Sequence, residues 1–157
     1  MEESPHYNVI IITRISVIVP NANLYHLGVL SSSMHNAFMR LTAGRMKSDY
    51  SYSNTIVYNN IPYPLDANDE SNKAVIAKEA IGLAAQAVLD ARKLYQDISE
   101  NAPMLAKLYN TYMIDPYPEL TKAHIALDKA VDKAYGYKGK GDDASRVELL
   151  LKKIADA

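Results

Sequence analysis

The spacing of apolar residues divides the chain near residue 65. In Asn8–Pro20 (NVIIITRISVIVP) β-branched residues dominate, and Ile15, Val17 and Val19 alternate, which predicts one long bent strand or two short ones. Pro20-Asn21-Ala22-Asn23 is turn material. Within Leu27–Ala43, the residues Leu30, Met34, Phe38 and Leu41 fall on one face of a helix that Gly44 would end. Thr55–Tyr58 is β-prone, so Tyr52–Tyr58 reads as a further strand, stopped by Pro62 and Pro64.

Beyond Leu65 the pattern is helical. Asp66–Ser71 offers caps to a helix over Lys73–Ile98 with an inner stripe of Ala77, Ala80, Ala84, Val88, Ala91, Tyr95 and Ile98. Pro103–Met113 reads as a short helix, and Pro118–Tyr135 as a longer one facing inward through Leu120, Ala123, Leu127, Ala130, Val131 and Ala134. Gly136, Gly139 and Gly141 interrupt the pattern. Asp142 or Asp143 then caps a last helix with Val147, Leu150, Leu151 and Ile154 on its inner side. The expected fold class is α+β, mainly α: a small strand-helix-strand portion (residues 1–64) followed by a helical hairpin or bundle (residues 65–157).

Composition narrows the function. The 157 residues include no cysteine, which excludes a disulfide framework and any Cys-built zinc or redox site. A formal net charge of −1 gives no global attraction to nucleic acid, so any DNA contact must come from a local patch. The longest apolar run, Val9–Ile12, is too short to span a bilayer, and a cytoplasmic protein without membrane contact is expected.

Candidate chemistry does not assemble. Asn59-Asn60-Ile61-Pro62-Tyr63-Pro64 invites comparison with the Asn-Pro-Pro-Tyr motif of adenine methyltransferases, but Ile61 separates Asn60 from Pro62, and no Gly-rich cofactor loop precedes it. Gly136-Tyr-Lys-Gly-Lys-Gly141 lies between two helices and lacks the Gly-Lys-Ser/Thr ending of a phosphate loop, so it reads as an inter-helix connection. His6, His26, His35 and His124 show no metal-ligand spacing, and Ser31–Ser33 beside His35 has no orienting acid. No catalytic, cofactor-binding or metal-binding residue is assigned.

One segment carries polar groups suited to DNA. Arg40, Arg45 and Lys47 suit phosphates, and Tyr50, Tyr52 and Asn54 supply hydroxyl and amide groups. On composition alone the same residues read more readily as a helix C-terminus favoured by cations, followed by a half-buried tyrosine strand.

Three stretches go further: Leu24–Arg40 (LYHLGVLSSSMHNAFMR), Ala43–Tyr50 (AGRMKSDY) and Tyr52–Pro64 (YSNTIVYNNIPYP). They resemble the end of the target recognition domain of MmeI-like enzymes, single-chain Type II restriction–modification proteins joining a nuclease, an adenine-N6 methyltransferase and a DNA-reading domain. Ala87–Arg92 and Ala123–Tyr137 resemble that family's C-terminal helical domain. The resemblance implies a DNA-recognition and scaffold fragment of a longer enzyme. Its partners would be double-stranded DNA and the parent's remaining domains, with self-association of the isolated chain also open. S-adenosylmethionine and a divalent metal are expected only in the parent. Ser51 stands where the family commonly has Arg. The competing expectation is a helical module for dimerisation or docking, without DNA contact.

Overall fold

Two short helices stand where the apolar spacing predicts one. The computed structural model describes residues 19–47, 49–65, 69–96, 108–109 and 117–156. The strand expected over Asn8–Pro20 falls outside these residues except for Val19 and Pro20, as does most of the helix expected over Pro103–Met113. Helix α1 (Leu24–Ser31) starts at Asn23, whose side chain accepts from the Tyr25 and His26 amides. It ends at Ser32, where extended backbone (φ −81°, ψ 159°) separates it from α2 (Ser33–Thr42). The Ser32 hydroxyl donates to the Val29 carbonyl at 2.6 Å and accepts from the His35 amide, so one buried side chain closes α1 and caps α2. A distant helix supplies Asp128, which completes the cap. Its Oδ1 accepts from the Ser33 amide at 2.7 Å and its Oδ2 from the Ser33 hydroxyl at 2.6 Å.

After α2 the chain makes a small antiparallel hairpin, β1 (Gly44–Met46) with β2 (Asp49–Ser51), pairing Gly44 with Ser51, Arg45 with Tyr50 and Met46 with Asp49. Lys47 opens the turn at φ 59°, in the left-handed region. The strand expected over Tyr52–Tyr58 is not there. Asn54–Tyr58 forms a π-helical turn, with the Asn59 amide donating to the Asn54 carbonyl at 2.9 Å. Val57 and Ile61 enter the core from this turn, the Ile61 amide donating to the Val57 carbonyl at 3.2 Å, while Asn59 between them, which strand alternation would also bury, is exposed. Ser53 caps its start, while the Asn60 amide group donates to the Thr55 and Ile56 carbonyls at its end. End-capping and the burial of Val57 and Ile61 override the β-propensity of Thr55, Ile56 and Val57.

The remaining elements are α3 (Asn72–Gln96), α4 (Pro118–Tyr135) and α5 (Asp143–Ala155). Helix α3 packs on both α1 and α4, and α5 packs on α2. One hydrophobic core runs from Tyr25, Val29, Met34, Phe38 and Val57 through Ile81, Val88, Leu127, Val131 and Leu150. The buried face of α3 is rotated from the expected alanine stripe. Ala74, Ile81, Ala85 and Val88 are buried and Ala80 is exposed, because turning Ile81 inward removes more apolar surface from water than an alanine would. Helix α4 faces inward as expected, and Gly136 ends it at φ 70°.

In α5, Asp142 is the cap and Leu150 is buried, but Leu151 and Ile154 are exposed. Arg146 takes an inner position instead. Its guanidinium pairs with Asp132 at 3.0 Å, donates to the Gly141 carbonyl at 2.6 Å and lies over the Tyr137 ring. These contacts fasten residues 136–141 as an inter-helix connection.

Two features set tight conditions on the core. A Cβ on Gly28 would stand 2.5 Å from Ile81 Cγ2 and 3.2 Å from the Ile81 carbonyl, so α1 and α3 touch backbone to side chain there. His35, only 4% exposed, has no hydrogen-bond partner at Nδ1. Burial lowers its pKa from 6.5 to about 4.

Three outcomes follow for stability. Gly28→Ala should lower stability by about 1–2 kcal/mol, the overpacking outweighing a gain in helix propensity of at most about 1 kcal/mol. Asp128→Ala should lower it by about 1–2 kcal/mol through loss of the α2 cap. Thermal unfolding measures both, and an unchanged midpoint in either would count against the corresponding contact. For His35 the unfolded chain binds the proton more readily than the folded one. Its contribution is therefore complete above pH 6.5 and is lost as pH falls from 6.5 towards 4. Denaturant titrations across this window should show stability falling with acidification, and a His35→Gln variant should lack that component.

Candidate nucleic-acid interface

The six residues singled out as DNA-facing all lie between the second half of α2 and the π-turn, but they do not have equal freedom to bind. Arg40, in the last turns of α2, gives its Nη1 to Asp143 Oδ2 at 2.6 Å, in a pair half open to solvent. Asp143 opens α5, so Arg40 ties the recognition segment to the last helix. An exposed pair of this kind contributes little stability, but it holds the guanidinium back along the scaffold.

Arg45 and Lys47 are presented differently. Register places Arg45 opposite Tyr50, and the guanidinium lies over the ring, 4.4 Å from its centroid, with Nη2 donating to the Tyr50 hydroxyl at 2.8 Å. Stacking uses the flat face of the guanidinium and one donor, leaving the other N–H groups open to an acceptor. Lys47 occupies the turn and is exposed, with no hydrogen bond or ion pair among the described residues. The hairpin thus carries two cations on an exposed edge.

Tyr52 and Asn54 serve the frame. The Tyr52 hydroxyl hydrogen-bonds the His35 Nε2 at 3.2 Å, and the rings lie tilted with centroids 5.8 Å apart. Burial, and then the nearby Tyr58, raise the Tyr52 pKa. Val19, Leu30, His35, Asn36, Met39, Tyr52 and Tyr58 line an open cavity of about 310 Å³ beside this anchor. The Asn54 side chain accepts from the Thr55 amide at 2.9 Å, within the π-turn. Behind the turn, the Tyr135 hydroxyl donates to the Pro62 carbonyl at 2.8 Å and the Tyr25 hydroxyl to the Leu65 carbonyl at 3.2 Å. Burial pushes the Tyr25 hydroxyl up to about 12, and those of Tyr63 and Tyr135 higher still. These are neutral structural groups.

The sequence reading missed the residues that limit the site: Asp143 on Arg40, Asp128 on Ser33 and His35 beneath Tyr52. Each pairing joins separate elements of the chain, and nothing local to any of the three announces it. Of the other histidines, His26 and His124 lie among the described residues and gather no ligand set. His26 serves the α1 cap, while the His124 Nε2 is 2.7 Å from the Tyr109 hydroxyl, which also accepts from Arg92 Nε. Among the described residues no three His, Asp or Glu side chains group as a metal would need. No helix among them is long and apolar enough to cross a membrane.

Residues 6–65 match the family described as the target recognition domain of MmeI, and residues 73–156 match the C-terminal domain of MmeI. DNA methyltransferase A of Bacillus subtilis (strain 168) is 35% identical over 142 residues, covering 90% of this chain and 14% of that protein. A solved structure of the Type IIL restriction–modification enzyme MmeI in complex with DNA aligns with a TM-score of 0.73 at 38% identity, covering 88% of this chain and 17% of that one. The chain spans less than a fifth of the length of either relative. With both MmeI domain types matched in order along one sequence, the chain belongs to the MmeI family and joins target recognition domain sequence to the C-terminal helical domain.

Proposed function

We propose that this chain is a DNA-recognition and scaffold part of a bifunctional restriction endonuclease and adenine-N6 DNA methyltransferase, without a catalytic centre of its own. The observation that carries this reading is the hairpin Gly44–Ser51, which holds the stacked Arg45 and the open Lys47 on an exposed edge. A guanidinium held flat by an aromatic ring has lost part of its rotamer freedom before binding, which suits it to a phosphate or a guanine edge. The DNA complex of the MmeI relative supports a DNA-facing role for the matched region.

The six candidates then separate by role. Arg45 and Lys47 contact duplex DNA, and Tyr50 keeps Arg45 in place. Tyr52 and Asn54 set the hairpin on the π-turn, and Arg40 braces the segment against α5. The remaining domains of the parent enzyme are the other partners, and S-adenosylmethionine and a divalent metal belong to those domains. The expected setting is the cytoplasm.

Fluorescence anisotropy of labelled duplex DNA across a salt series tests the assignment. Each neutralised phosphate contributes about −0.9 to the slope of log affinity against log salt concentration. Arg45→Ala and Lys47→Ala should each reduce that slope by about 1, whereas Arg40→Ala should leave it nearly unchanged. Equal slopes in the wild type and both hairpin variants would remove these two side chains from the interface.

A further inference from the structure

Helix α3 carries a second apolar row that stays exposed among the described residues. Ile76, Leu83 and Leu94 are 65%, 74% and 51% exposed, and the exposed Ala80 and Ala87 stand between them. The intervals from 76 through 80, 83 and 87 alternate four and three, and Leu94 follows seven further on. This is the seam of a two-stranded coiled coil, laid along a helix of 25 residues. Ala77, Ala84 and Ala91 flank the row on the side nearest the core, and Glu79, Gln86 and Lys93 flank it on the other.

We propose that this row is a self-association surface, on which α3 pairs antiparallel with α3 of a second copy about a two-fold axis near Gln86. Shape and charge both select that partner and that direction. In an antiparallel pair Leu83 meets Ala87 of the other copy and Ile76 meets Leu94, so large side chains fall against small ones at the centre and against each other at the ends. Asp90, held by the Gln86 amide at 2.8 Å, then faces Ala80 of the other copy. A parallel pair would set Asp90 against Asp90 and Ala80 against Ala80, leaving like charges and a gap in the seam. Along the outer flank the antiparallel register places Glu79 beside Lys93 of the other copy, twice by symmetry. The alanines on the inner flank leave room for the second helix to approach. The contact is one helix pair, so the dimer is weak and forms reversibly with concentration.

Sedimentation equilibrium of this chain, in a concentration series up to about 1 mM, tests the proposal. A monomer–dimer equilibrium is expected, with Leu83→Glu raising the dimer dissociation constant by about tenfold or more. Glu79→Lys should raise it several-fold, and Glu79→Lys combined with Lys93→Glu should restore it. Circular dichroism of Leu83→Glu should match the wild type, because the substituted side chain is exposed. A monomer at every concentration, or a dimer indifferent to Leu83→Glu, would overturn the proposal. A dimer that responds at Leu83 but not at Glu79 would overturn the antiparallel register.

Discussion

The Asp128 carboxylate, reaching from α4 to the start of α2 across 95 residues of sequence, fixes the element that the rest of the recognition segment hangs from. It takes the Ser33 amide with one oxygen and the Ser33 hydroxyl with the other, at the end of α2 where unpaired N–H groups favour a negative charge. Ser32 makes this geometry available by closing α1 through the Val29 carbonyl. Without the break at Ser32, the Ser33 amide would lie inside a continuous helix and have no donor to spare for Asp128. The direction of α2, and of the hairpin that follows it, therefore depends on one short polar contact between distant parts of the chain.

Apolar packing then makes the two family-matched segments one body. Gly28 brings α1 onto Ile81 of α3, and Met34 and Phe38 of α2 share a core with Leu127, Val131 and Leu150. Tyr25 and Tyr135 hold the carbonyls of Leu65 and Pro62, so the stretch that leaves the π-turn is pinned to α1 and α4. Among the described residues the hairpin sits outside this core and its strands pair with each other alone, which leaves its cations exposed while its base is anchored through Tyr52 on His35.

Much of this was legible in the sequence where local physics decides. The face of α4, its stop at Gly136, a cap at Asp142 or Asp143 and the mainly helical character all follow from spacing and end residues, and the structure settles the cap on Asp142. The break at Ser32 was not legible, because Leu30, Met34 and Phe38 keep helical intervals through it and its cause, Asp128, lies far away. The strand expected over Tyr52–Tyr58 failed for a related reason. Thr55, Ile56 and Val57 favour β structure locally, but the cap from Asn60 and the burial of Val57 with Ile61 impose a π-turn. On α3, counting alanines placed the inner face about one residue off, and this concealed the outward row through Leu83. At the site, residue type grouped Arg40, Arg45 and Lys47 alike as cations suited to phosphates, and nothing local marked Arg40 as already committed to Asp143.

The central claim is that a recognition segment and a helical domain form one cooperative unit, joined through α2 and α4. Native-state hydrogen exchange, resolved by residue over a denaturant series, tests it most directly. The most protected amides of α2 and α4 should open with the same free energy and the same denaturant dependence, as members of one global unfolding event. If the α2 amides exchanged through a separate opening of much lower free energy while α4 stayed protected, the two segments would be independent and the claim would be wrong.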